Sequence, residues 1–145
     1  LMQRKKEGQV TKDAEIITKY LADNNISAQQ DSSGLMYVIH TSNGGTKPTT
    51  TNCVEVNYKG SFLKDGQVFD QQAKIAFPLD RVIPGWQRAI PMLGIGDSAT
   101  FYIPSGLAYG PEGAQGVIPP DAILIFDVAL LSIGNGFDQA TGSCN

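Results

Sequence analysis

Residues 123–133 read Ile-Leu-Ile-Phe-Asp-Val-Ala-Leu-Leu-Ser-Ile, apolar on both faces apart from Asp127 and Ser132. A segment of this length and β-branched content is a strand, and a strand without a wet face must lie inside a sheet with one face covered by a helix. The residues before it, 108–122, form a loop rich in glycine and proline that carries Tyr109. Gly and Pro restrain such a loop in opposite ways, one by permitting unusual backbone angles and one by fixing them. An aromatic held on that loop beside an apolar strand containing Phe126 marks the rim of an apolar pocket, suited to a hydrophobic, uncharged group.

Upstream segments supply the rest of a sheet. Residues 35–40 read as a strand after the Asp31-Ser32-Ser33-Gly34 turn. Val54, Val56 and Tyr58 alternate with Glu55, Asn57 and Lys59, giving one buried and one wet face. Lys64-Asp65-Gly66 is a hairpin turn between residues 61–63 and 68–70. Residues 76–79 are short and apolar, and Ala99, Phe101 and Ile103 share one face of a further strand. Pro84 opens a short helix on which Trp86, Ala89, Ile90 and Leu93 follow helical spacing, with Pro91 limiting its length and Gly94 placed to end it. At the N-terminus, residues 1–10 are polar and expected to fray. Thr11 is placed to cap a helix, with Asp13 and Glu15 in its first turn, running to about Asn24. Its apolar stripe is Ala14, Ile17 and Leu21, with Tyr20 alongside. That stripe needs a partner surface, either the main domain or a second copy of the chain. The class is α+β, an antiparallel sheet wrapped on a short helix, with an N-terminal helix in addition.

Composition excludes several chemistries. The 145 residues carry a net charge of -3, which favours neither nucleic acid nor an anionic membrane as partner. No apolar run approaches the roughly 18 residues of a membrane span. His40 is the only histidine, at a strand end, so a histidine-based triad has one candidate and no nucleophile elbow to go with it. No phosphate-binding glycine pattern is present, and the carboxylates are scattered. Cys53 and Cys144 match no metal spacing. They read either as two unrelated small residues or as a disulfide tying the C-terminal tail to the start of a strand, which requires an oxidising compartment.

Six motifs then occur in one order. They are Val56-Asn57-Tyr58-Lys59-Gly60, Asp65-Gly66-Gln67-Val68-Phe69-Asp70, Val82-Ile83-Pro84-Gly85-Trp86, Gly94-Ile95-Gly96-Asp97, Ala108-Tyr109-Gly110, and Ile118-Pro119-Pro120 running to Phe126-Asp127-Val128. Over residues 35–133 the chain resembles the FKBP-type peptidyl-prolyl cis-trans isomerases, the immunophilins that bind macrolides such as FK506 and rapamycin. The resemblance implies a curved antiparallel sheet around a short helix, with the pocket between them. Trp86 would be the floor, Tyr58, Phe69, Val82, Ile83 and Phe126 the walls, and Tyr109, Val117 and Ile118 the rim. Asp70 would be the carboxylate facing the bound group. Such an enzyme uses no cofactor and no metal, and its partners would be proline-containing unfolded polypeptides and macrolides.

The implied organisation is an N-terminal helical extension and linker (1–34), an isomerase domain (35–134) and a C-terminal tail (135–145). A helical extension of this kind resembles exported bacterial members, periplasmic or lipid-anchored, in which the helix is a candidate homodimer contact. The chain departs from the family's pattern between Asp70 and Phe77, which looks shortened and offers Lys74 and Ile75 where many members carry an arginine and an aromatic. Ala114 stands where some members have a rim histidine, and Arg81 where some have an acid. A peptide-binding or chaperone module with little turnover is the competing function.

Overall fold

The computed structural model describes the backbone of residues 2–145 and side chains from Gly8 onward. Its elements run α1 (Met2–Asp23), β1 (Gln29–Gln30), β2 (Met36–Thr41), β3 (Cys53–Phe62), β4 (Val68–Pro78), α2 (Pro84–Ala89), β5 (Ser98–Ile103), β6 (Leu124–Gly134), β7 (Phe137–Asp138) and β8 (Ser143–Cys144). The first six strands form one sheet in the order β1-β2-β5-β6-β3-β4. Each neighbouring pair is antiparallel. β6, the strand without a wet face, lies between β5 and β3, as its composition requires.

Alternation along the central strands builds the main core. Val54 and Val56 of β3, Ala99, Phe101 and Ile103 of β5, and Leu124, Phe126, Val128 and Leu130 of β6 all point to one side. There they meet Trp86, Ala89, Ile90 and Leu93. α2 is short because Pro91 follows it. The chain passes at once into a 3-10 turn, Ile90–Met92, and is extended by Leu93, one residue before the expected glycine stop. Asp97 closes the next turn. Its buried carboxylate accepts the backbone N–H of Asn43 (2.7 Å) and of Gly94 (2.8 Å). These amide donors hold its pKa below the usual carboxylate value.

Three expectations are corrected. The N-terminal helix does not begin at Thr11 but runs from Met2, so Thr11 lies within it and residues 2–10 are helical rather than frayed. Leu1 lies outside the described residues. Its buried stripe is Asp13, Ile17 and Leu21, at four-residue spacing, while Ala14 is exposed. Asp13 is therefore not a first-turn acid facing water. Thirdly, the strand at residues 68–70 and the short apolar segment 76–79 are not separate pieces: β4 runs through the polar residues between them to Pro78, an edge strand with a register shift opposite Asn57. The Asn57 side chain accepts the Lys74 N–H at 2.8 Å where the ladder is interrupted.

α1 docks on its own domain. Ile17 and Leu21 pack with Leu63, Tyr102, Ile123 and Ile125 on the outward face of the sheet. Burying two such side chains contributes about 3–6 kcal/mol before the entropy of ordering the helix is subtracted. This explains why Tyr102 and Ile125, on the face of β5 and β6 opposite the main core, are also buried. At the other terminus β7 and β8 form a small hairpin, and a disulfide joins Cys144 to Cys53 with a Cα–Cα distance of 5.6 Å.

Candidate active site

The motifs converge where α2 faces the sheet. Trp86 is 5% exposed, on the first turn of α2, which Pro84 starts and which the Trp86 N–H to Ile83 carbonyl bond (3.0 Å) closes. Three rings surround the indole. Tyr58 stands edge-on at a centroid distance of 5.0 Å, Phe126 edge-on at 5.1 Å, and Phe77 tilted at 5.3 Å. Phe69 extends the box from Phe126, edge-on at 5.7 Å, and stacks on Phe62 at 4.9 Å. Edge-to-face geometry sets positive ring edges against negative ring faces, which fixes the mutual angles of the rings as well as their burial. Among the described residues the buried Trp86 indole N–H has no hydrogen-bond partner.

One polar pair enters this apolar box. The Tyr58 hydroxyl donates a hydrogen bond to the Asp70 carboxylate, from β3 to β4. Burial, and then that bond and the charge of Asp70, push the Tyr58 phenol well above the ordinary tyrosine range. Tyr109 responds to the same surroundings: burial first, and the Asp70 charge second, raise its pKa. Asp70 thus lies within electrostatic reach of two tyrosines, both held in the neutral, hydrogen-donating form. Its partner is a phenol rather than the arginine that the resemblance leads one to expect between Asp70 and Phe77.

Val82 and Ile83 are half-buried and pack against the same core, immediately before α2. Tyr109, 41% exposed, stands at the start of the Gly/Pro loop. Ile118 is buried in the core at 6% exposure, whereas Val117 is 57% exposed and turned to solvent. The loop is braced internally: the Ala114 N–H donates to the Ile118 carbonyl (2.9 Å), and the Ile118 N–H to the Ala114 carbonyl (2.8 Å). Ala114, in place of a rim histidine, acts through its backbone.

Two members of the box escaped the sequence reading. Phe77 was visible only as part of a short apolar run. Gly60 was visible as the end of a motif with no stated reason. A Cβ at Gly60 would lie 2.7 Å from Phe126 Cε1 and 2.8 Å from Phe69 Cζ. The two rings meet over the bare backbone of β3, and any side chain there would part them. Pattern reading had no access to this, because it depends on a contact between three strands.

A separate groove of about 750 Å³ lies on the sheet, lined by His40, Asn57, Lys59, Gln72, Ser98 and Asp127 among others. His40 Nε2 lies 2.7 Å from Thr100 Oγ1, which donates to Asp127 at 2.6 Å, and Lys59 reaches Asp127 at 3.8 Å. The hydroxyl sits between the imidazole and the carboxylate. Because the Thr100 hydroxyl gives its proton to the carboxylate, the imidazole meets it as a donor and not as a base, so the arrangement is a satisfied surface network and not a triad. Among the described residues no group of three or more His, Cys, Asp or Glu could hold a metal ion, and no helix is long and apolar enough to cross a membrane.

The family model of FKBP-type peptidyl-prolyl cis-trans isomerases matches residues 44–131, which include the rings, Asp70 and the rim loop. This chain belongs to that family. It is 46% identical over 106 residues to the probable FKBP-type peptidyl-prolyl cis-trans isomerase FkpA of Neisseria meningitidis serogroup B, a match covering 70% of this chain and 39% of the relative. It is 38% identical over 105 residues to the outer membrane protein MIP of Legionella longbeachae, covering 70% of this chain and 45% of the relative. The match to the crystal structure of a peptidyl-prolyl cis-trans isomerase from Pseudomonas syringae pv. tomato has a TM-score of 0.77 at 31% identity. It covers 88% of this chain and 94% of that one. The chain thus spans less than half the length of these two curated relatives.

Proposed function

We propose that this chain accelerates cis-trans isomerisation of X–Pro bonds by enclosing proline in the aromatic box. The observation that carries this reading is the box floored by Trp86, with a single carboxylate, Asp70, held at its edge by Tyr58. An amide resists rotation because resonance gives it double-bond character, with a barrier of about 18–20 kcal/mol. X–Pro bonds populate both isomers, exchanging in about tens to hundreds of seconds. Half-way through the rotation conjugation is broken, the carbonyl is less polar, and water stabilises it less than it stabilises the planar imide. A dry cavity shaped for the twisted form therefore lowers the barrier by differential binding. An acceleration of five powers of ten requires about 7 kcal/mol.

Each residue has a part in this reading. Trp86 is the flat floor for the pyrrolidine ring. Phe69, Phe126, Val82 and Ile83 are walls, with Tyr58 as wall and as the group that orients Asp70. Tyr109 donates to a peptide carbonyl beside the proline, as does the Ile83 N–H. Ile118 is a buried lip and Val117 an outer contact for longer ligands. Asp70 faces the twisting amide. Substrates are proline-containing unfolded or partly folded polypeptides, and macrolides of the FK506 and rapamycin type are candidate ligands of the same box. Binding with little turnover is the second reading, favoured by the phenol in place of an arginine beside Asp70.

The Cys53–Cys144 disulfide supports an oxidising, exported location in a bacterium, periplasmic or lipid-anchored. A homodimer through α1 would have to use helix surface that the chain leaves exposed, where Val10 and Ile16 lie on separate faces, because Asp13, Ile17 and Leu21 are buried within the chain. The proposal is tested by refolding a protein whose slow phase is limited by proline isomerisation: the chain shortens that phase at substoichiometric concentration. An unchanged slow phase leaves only the binding reading.

A further inference from the structure

Asp13 is a carboxylate at 1% exposure in the middle of a helix, and it contacts a residue 92 positions away. One oxygen, Oδ2, accepts both the backbone N–H of Ser105 (2.9 Å) and the Ser105 hydroxyl. The other, Oδ1, accepts the Gln9 side-chain amide at 2.7 Å. A charge is not buried in this way unless its bonds are complete, and removal of the acceptor would leave two buried donors of Ser105 unsatisfied. Ile17 and Leu21 could hold α1 to the sheet by apolar contact alone. Asp13 adds a directional grip on one particular residue.

Ser105 stands at a junction. It begins a 3-10 turn, Ser105–Leu107, closed by the Leu107 N–H to Pro104 carbonyl (2.9 Å) and the Ala108 N–H to Ser105 carbonyl (3.0 Å) bonds. Tyr109 follows after Ala108. The same turn touches the helix that carries Trp86: a Cβ added at Gly85 would lie 3.1 Å from the Leu107 carbonyl oxygen and 2.6 Å from Ile103 Cγ2. The turn is therefore wedged between α1 on one side and the first turn of α2 on the other. The far side of the rim loop is braced by its own bonds, from Gly113 to Tyr109 and from Asp121 to Gly110. Its entry is braced by Asp13.

We propose that Asp13 is a positioning residue for the pocket: through Ser105 the N-terminal helix sets where the Tyr109 rim begins and how closely the turn packs under Trp86. This rests on the isomerase reading for its effect on turnover, but not for its effect on structure. It makes α1 part of the pocket's support, so that a pull or a partner acting on this helix reaches the rim through a single carboxylate.

The test compares the parent chain with Asp13→Ala, Asp13→Asn, Ser105→Ala and Ile17→Ala, at a temperature where all melt well above the assay. Three quantities are read: kcat and KM on a proline peptide, Trp86 emission, and hydrogen exchange of the amides of residues 105–118. Misplacing a positioning contact by a fraction of an ångström to 1 Å costs one to two powers of ten, so Asp13→Ala is expected to lose about tenfold in kcat/KM, mostly through KM. Its loop amides exchange faster and its Trp86 emission shifts. Asp13→Asn keeps an acceptor oxygen and recovers most of the loss. Ser105→Ala keeps the N–H bond and falls between them. Ile17→Ala weakens helix docking without touching Ser105, so it lowers the melting temperature more than it changes loop exchange. If Asp13→Ala leaves loop exchange and Trp86 emission as in the parent, or if Ile17→Ala changes them equally, the proposal is overturned. An inactive parent chain whose Asp13 variants still alter loop exchange and emission refutes the isomerase reading and leaves the positional link standing.

Discussion

The Tyr58 hydroxyl donates to the Asp70 carboxylate across β3 and β4, at the edge of a box otherwise built of rings. The bond ties the orientation of the one charged group there to a ring that also packs edge-on against Trp86. Tyr58→Phe keeps the ring contacts and removes the donor. A hydrogen bond to a charged group contributes about 1.5–3 kcal/mol to stability, so the melting temperature should fall by several degrees, and kcat/KM on proline peptides, read well below that temperature, should fall by about tenfold. Equal activity in Tyr58→Phe and parent would detach Asp70's orientation from catalysis.

The same pair sets a pH signature. Tyr58, Tyr102 and Tyr109 are each raised from the ordinary value of 10.0, with burial as the leading cause in all three. The folded protein then holds protons that the unfolded chain releases. The associated stability is fully present below pH 10 and is lost as pH rises through the folded values. Ultraviolet titration should show these three of the five tyrosines ionising late. Asp70→Asn should bring Tyr58 and Tyr109 part of the way back, since burial persists. Titration of all five tyrosines near the ordinary value would contradict the box as described.

Gly60 is expected to tolerate no side chain. A Cβ there would press on Phe126 and Phe69 at under 3 Å. Gly60→Ala should cost about 1–3 kcal/mol of stability, as overpacking does, and should reduce proline-peptide turnover by parting two walls. Calorimetry and the peptide assay on the same preparation separate the two effects. Parent-like turnover would show that the Phe69–Phe126 contact is dispensable.

Much of this was legible in the chain. Period two in β3 and β5, the doubly apolar β6, and proline before a helical stripe place the sheet, the central strand and α2, since each is a local statement about which face is buried. What was not legible was set by distant partners. An acid at position 13 reads as a solvated first-turn residue until Ser105 is brought against it. The polar residues between Asp70 and Ala76 give no strand signal because an edge strand with exposed faces has no apolar rhythm to display. Gly60 carries meaning only once two phenylalanines from different strands meet above it.

The Cys53–Cys144 bond closes a loop with a sequence separation of 91. In the chain-entropy account a loop of this size contributes about 4–5 kcal/mol through the unfolded state. Thiol titration of the unreduced, denatured protein should find no free thiol. Reduction should lower the unfolding free energy by an amount of that order, with the pocket still formed. Two reactive thiols in the unreduced protein would remove the support for an oxidising compartment.

The most direct measurement is the rate of X–Pro isomerisation in short peptides carrying different residues before proline, with parent, Phe69→Ala and Asp70→Ala proteins. The account predicts that the parent accelerates the reaction, with a preference that depends on the preceding residue, and that both variants lose most of the acceleration. A parent chain that binds the peptides, seen in Trp86 emission, but leaves the rate at its uncatalysed value would contradict it.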